Sequence, residues 1–69
     1  MNPDPYIELN SLLKINNIAT TGGQAKVLIR SGIVLVNGEI ETRNRCKLRV
    51  GDIVTVEGKK LIVEQDVVR

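Results

Sequence analysis

The sequence predicts an α+β fold in which two short N-terminal helices pack on a small, mostly antiparallel sheet. Apolar residues recur at helical spacing in the first part of the chain, at Leu9, Leu12 and Leu13. From residue 33 onward the pattern becomes compact and β-branched, and it ends in Asn37-Gly38, a strong hairpin signal. The apolar residues are almost all aliphatic, which suits a sheet core.

The two helices are predicted over roughly Glu8 to Asn16 and about Gly23 to Ser31. The second has an apolar stripe formed by Ala25, Leu28 and Ile29. Gly32 then suits the left-handed position that commonly ends a helix. The chain therefore places both helices before the first hairpin.

The sheet follows from turn signals. Glu39 begins a return strand, Gly51-Asp52 marks a further turn, and two more strands pair across Gly58-Lys59. Tyr6 and Ile7 are predicted to add a short strand at the sheet edge. Prolines at positions 3 and 5 make residues 1–5 a loose arm, so that residues 6–69 form a single domain.

Length and composition restrict the function. A domain of 69 residues leaves little room for a buried catalytic cleft, and the chain has no histidine and one cysteine, Cys46. We therefore expect no enzyme activity, no cofactor, no metal and no small-molecule substrate.

Nothing in the sequence resembles a secretory signal or a membrane span, and the single cysteine points to the reducing cytoplasm. Short edge strands flanked by Lys59, Lys60 and Glu64 favour a monomer.

Charge is concentrated in the middle of the chain. Residues 22–49 carry a net charge of +4, whereas the segments before and after each carry −1. Four cations in this region alternate with other residues: Arg43, Arg45, Lys47 and Arg49. If the stretch is extended, all four lie on one side and repel unless an anion screens them. Phosphate is the anion we expect, and a solvated face without a partner is the alternative.

Cys46 lies inside this cationic run. Nearby positive charge favours a thiolate if the sulfur is exposed. The other interpretation is that Cys46 is a small apolar residue pointing inward, opposite the arginines.

A second basic element lies on the second predicted helix, where Lys26 and Arg30 project from the same side. Gly22 and Gly23 at the start of this helix leave its free N-H groups open to a phosphate, although a tight turn between helices also uses glycines. Gln24 either reaches a sugar or base edge or caps the helix. The two basic elements form one cluster if the segment between them folds back over the second helix.

The sequence resembles the RNA-binding domain first described in ribosomal protein S-four, also called the αL motif, over about residues 9–57. Within that family it is most similar to the free-standing, YbcJ-like members, which carry a Glu-Thr-Arg segment followed by basic residues. The resemblance rests on the following residues and segments: Leu9, Leu13, Gln24–Gly32, Val34–Gly38, Glu41–Lys47 and Val50–Val54. It implies the same α+β fold and RNA as the partner, and ribosomal RNA is the partner that we expect.

Carried over residue by residue, the resemblance implies that RNA phosphates contact Lys26, Arg30, Thr42, Arg43, Arg45 and Lys47. The charge pattern adds Arg49. Many members have a Ser-Arg pair where this chain has Thr21 and Gly22, so we expect the Gly22 and Gly23 amides to act there instead of a side chain.

Tyr6 is the one aromatic residue, and in sequence it lies outside the basic region. Proteins that read single-stranded bases use aromatic side chains as stacking platforms, so we expect this chain to recognise an RNA's backbone and shape.

The alternative function is a protein-interaction module that binds an acidic ribosomal or assembly-factor partner. An exposed apolar patch would favour that alternative, and the sequence pattern identifies none. DNA is a further possibility, but the second helix has few base-reading side chains.

Overall fold

The structure, a computed structural model, describes residues 5–68. Residues 1–4, most of the predicted N-terminal arm, lie outside this range. The elements in chain order are β1 Ile7–Glu8, α1 Leu9–Ile15, α2 Gly22–Arg30, β2 Val34–Val36, β3 Glu39–Ile40, β4 Lys47–Leu48, β5 Ile53–Val56, β6 Lys59–Ile62 and a C-terminal 3₁₀ helix Gln65–Val67. The predicted α+β fold is confirmed.

Both helices lie where the leucine and alanine patterns predict them, with ends within about one residue. α1 buries Leu9, Leu12 and Leu13. The N-terminus of α2 is capped twice. The Thr21 Oγ1 atom accepts a hydrogen bond from the Gln24 amide at 3.1 Å, and Gln24 Oε1 accepts from the amide of the preceding Thr20 at 2.7 Å. Gln24 is therefore a capping residue.

Four strands form an antiparallel sheet in the order β3-β2-β5-β6. Both hairpins turn through two residues with positive φ, Asn37-Gly38 and Glu57-Gly58, as type I′ turns require. The predicted turn at Gly58-Lys59 is one residue too late, because Lys59 already pairs with Val56. Asn37 also accepts a hydrogen bond from the Ile53 amide at 3.0 Å, which joins the two hairpins.

The sequence predicted that the first strand joins the edge of this sheet, and this prediction is wrong. β1 pairs instead with β4 in a separate two-stranded ribbon, with Ile7 opposite Leu48 and Glu8 opposite Lys47. The pairing continues into α1, where the Leu9 amide donates to the Cys46 carbonyl at 2.9 Å and the next amide donates to the Asn44 carbonyl. The loop before β4 therefore satisfies amides at the start of α1 that have no partner within the helix.

The core lies between the helices and the inner faces of the two sheets, and it is aliphatic. Its buried residues are Ile7, Leu9, Leu12, Leu13, Ala19, Ala25, Ile29, Val34, Leu48, Val54, Val56 and Val63. Leu48 brings the ribbon into this core, since its side chain is completely buried. Neither helix in the described range has the length and apolar character needed to cross a membrane.

Candidate functional site

The basic loop, residues 42–49, presents its cations outward. Alternate side chains point inward: Leu48 is buried, and Asn44 and Cys46 are partly buried. The exposed residues are Thr42, Arg43, Arg45, Lys47 and Arg49. The predicted extended backbone is correct only for Lys47–Leu48, because the chain turns at Asn44-Arg45. The alternation survives this turn because the inward residues pack toward α1 and the core.

Two arginines of the loop have anionic partners within the protein. Arg43 forms a two-pronged pair with Glu41, Nε to Oε2 at 3.0 Å and Nη2 to Oε1 at 3.1 Å. Arg45 Nε lies 3.0 Å from Glu8 Oε2. Carboxylates of the protein itself therefore screen two of the four loop cations. Both arginine side chains remain exposed, 78% and 79%, so N-H groups remain open to a further acceptor.

The Glu41 carboxylate is strongly held in its charged form. Hydrogen bonds from the Arg43 side chain and backbone amide lower the pKa of Glu41 to about 2. The ion pair with Arg43 therefore persists throughout the neutral range. Because Glu8 and Glu41 are only 25% and 16% exposed, their carboxylates lie beneath the arginines.

Tyr6 belongs to the basic surface, contrary to the sequence interpretation. Lys47 Nζ lies 5.0 Å from the centre of the Tyr6 ring, and Arg49 Cζ lies 5.6 Å from it. These are cation–π distances. The β1–β4 register explains the contact, because it puts Tyr6, Glu8, Lys47 and Arg49 on the outer face of the ribbon. No local pattern in the sequence marks this pairing.

Cys46 is partly buried, as the inward interpretation predicted. Burial, and then the negative charge of Glu41, raise the pKa of the thiol. The thiol is therefore protonated at neutral pH, even though cations flank it in the sequence.

The exposed face of α2 carries the second basic element, Lys26 and Arg30. Val27 lies beside them and is mostly exposed. The basic loop folds back over the start of α1. The sequence predicted one cluster only on the condition that this segment folds over the second helix. α1 therefore holds both basic elements, one through hydrogen bonds and the other through helix packing.

Local geometry does not require either glycine at the start of α2. A Cβ at Gly22 would meet nothing within 4 Å, and one at Gly23 would meet only Thr21 Oγ1, at 3.9 Å. Neither residue has a positive φ. The tight-turn explanation of these glycines therefore has no support in the backbone.

The outer face of the four-stranded sheet carries exposed apolar residues beside Thr55 and Lys60, and the sequence interpretation missed them. Ile40 and Ile62 are mostly exposed, and Ile53, opposite Ile62, is partly exposed. Leu35, opposite Ile40, lies on the same face. The period of two in each strand could have predicted this face, because its residues alternate with the buried valines.

Comparisons with known proteins agree with this architecture. A family model described as S4 domain matches residues 2–64. The "Putative RNA-binding protein YbcJ" of Escherichia coli is 42% identical over 59 residues, covering 86% of this chain and 84% of that protein. The "Probable ribosome maturation protein RlbA" of Bacillus subtilis is 42% identical over 52 residues, covering 75% and 73%.

The fold also matches a solved relative. The solution structure of YbcJ from E. coli, reported to reveal an αL motif involved in RNA-binding, superimposes with a TM-score of 0.67 at 39% identity. The match covers 93% of this chain and 81% of that one. This chain belongs to the S4-domain family.

Proposed function

We propose that this protein binds a structured RNA, with ribosomal RNA the leading candidate, by docking phosphates on the basic loop and on the exposed face of α2. The observation that carries the proposal is the outward alternation of the loop cations around inward Asn44, Cys46 and Leu48. The names of the E. coli and B. subtilis relatives supply the RNA and the ribosome as the context.

The loop is suited to binding phosphate because ion pairs within the protein preorganise two of its arginines before RNA binds. Two hydrogen bonds to Glu41 hold the Arg43 guanidinium, and one from Nε to Glu8 holds that of Arg45, which leaves other N-H groups of both for a phosphate. Lys47 and Arg49 add two further exposed cations on the ribbon. Engagement of four to six phosphates gives a log-log salt slope of roughly −3 to −5.

The α2 face supplies the remaining contacts. Lys26 and Arg30 lie one and two turns into the helix, and the Gly22 and Gly23 amides lie at its positive end. The proposal is for binding without catalysis. Within residues 5–68, histidine, cysteine, aspartate and glutamate side chains form no group of three suited to a metal ion.

The contribution of α2 is tested by the double change Lys26→Ala, Arg30→Ala. We expect the salt slope for a ribosomal RNA fragment, measured by fluorescence anisotropy, to flatten by about two. The matched control is Lys59→Ala, Lys60→Ala, which removes the same charge from exposed residues of the β5–β6 hairpin and should leave the slope nearly unchanged. Equal flattening in both variants would show that net charge, rather than the α2 face, sets the affinity.

The glycines at the start of α2 provide an independent test. Gly23→Ala should stabilise the fold by about 0.5 kcal/mol, because alanine favours the helix and its Cβ has room. The same methyl group should weaken RNA binding several-fold if a phosphate approaches the amides. Thermal melting and anisotropy measure the two effects, and a stabilised variant with unchanged affinity would remove the glycine amides from the interface.

A second candidate function is protein interaction, which the exposed isoleucines of the outer sheet face favour. If the folded wild-type protein fails to bind structured ribosomal RNA at low salt, this candidate becomes the leading one.

A further inference from the structure

We infer that Tyr6 stacks against one unpaired base of the bound RNA, while Lys47 and Arg49 hold the phosphates beside that base. The inference rests on the proposed function and adds to it a single-base contact. Phosphate docking alone explains neither the position of the tyrosine nor the concavity beside it.

Tyr6 is held firmly enough to act as a platform. It directly precedes Ile7, which is buried and pairs with Leu48. Tyr6 is partly exposed, and Lys47 Nζ and Arg49 Cζ lie over its ring, 5.0 and 5.6 Å from the centre. Both cations belong to exposed residues, so a base that stacks on this face displaces them toward its own phosphates. Aromatic rings flanked by cations suit a nucleotide, because the ring takes the base and the cations take the phosphates.

A concavity beside the ring offers space for the base. Its volume is about 610 Å³, within the range of small-molecule sites, and it lies between β1, α1 and the C-terminal 3₁₀ helix. Ile15 and Val67 give it apolar walls. Glu8 and Asp66 also line it, and their carboxylates disfavour a phosphate there. A neutral, planar base is therefore the part of an RNA that fits, with its phosphates left outside near the cations.

The test compares two RNA hairpins that differ in one feature: a fully paired stem, and the same stem with one extra unpaired base. We expect the wild-type protein to bind the bulged hairpin about tenfold more tightly, the size of one aromatic stacking contact. Tyr6→Phe should keep this preference. Tyr6→Leu should lose it while retaining the salt slope, and circular dichroism establishes that the variant is folded.

A direct readout uses 5-iodouracil as the unpaired base. Irradiation should produce a cross-link that mass spectrometry assigns to the peptide containing Tyr6. Equal affinity for the two hairpins with a steep salt slope, or a cross-link that avoids Tyr6, would overturn the stacking contact and leave phosphate docking intact. Failure to bind either hairpin at low salt would overturn both.

Discussion

Replacing Arg43 and Arg45 together by alanine is expected to weaken RNA binding about 100-fold or more at low salt, with about tenfold for each charged contact. The salt slope should flatten by about two. The loss of affinity should exceed the loss of two hydrogen-bonded contacts alone. Without their arginine partners, the negative charges of Glu41 and Glu8 would repel the phosphates that approach this surface. Fluorescence anisotropy with a ribosomal RNA fragment across a salt series measures both quantities.

A matched set of variants separates lost contacts from newly exposed charge. Adding Glu41→Gln and Glu8→Gln to the double arginine variant removes the two orphaned carboxylates, so affinity should recover in part while the slope stays flat. If the quadruple variant binds RNA no more tightly than the double arginine variant, the two carboxylates do not lie close to the bound RNA. If the double variant binds like the wild type at unchanged thermal stability, the basic loop is not the interface.

Local sequence patterns were sufficient for the parts of the fold that local interactions determine. The leucines of α1, the cap of α2 and the Asn37-Gly38 turn each involve residues a few positions apart, and each element lies where it was predicted. The β1–β4 ribbon joins segments from opposite parts of the chain. Its short strands carry too few residues for a period to identify them.

The same distinction applies to the site. Alternation in the sequence was enough to predict that the loop cations face outward, because Leu48 and Cys46 contact the core regardless of the turn at Asn44. The ion pair between Glu41 and Arg43 is local, because the two opposite charges lie two residues apart in the sequence. Arg45–Glu8 and the Tyr6 cluster depend on the ribbon, so no local rule reaches them.

Leu48 links the stability of the domain to the geometry of its basic surface. The side chain is completely buried, and its two neighbours in sequence, Lys47 and Arg49, point outward over Tyr6. A buried leucine on such a short strand fixes the ribbon to the core from one side while the cations occupy the other. Removing it should therefore disturb both properties.

Leu48→Ala is expected to lower the free energy of unfolding by about 2–5 kcal/mol, the usual effect of truncating a buried leucine. A domain of this size has a net stability of only about 3–5 kcal/mol, so this loss should remove most of that stability. Urea denaturation followed by far-ultraviolet circular dichroism gives the value. Ile40→Ala, which truncates a mostly exposed residue, should change stability by less than about 0.5 kcal/mol. A similarly small effect at Leu48 would mean that the core does not hold the ribbon in place, and pairing between β1 and β4 would then have to position the cations by itself.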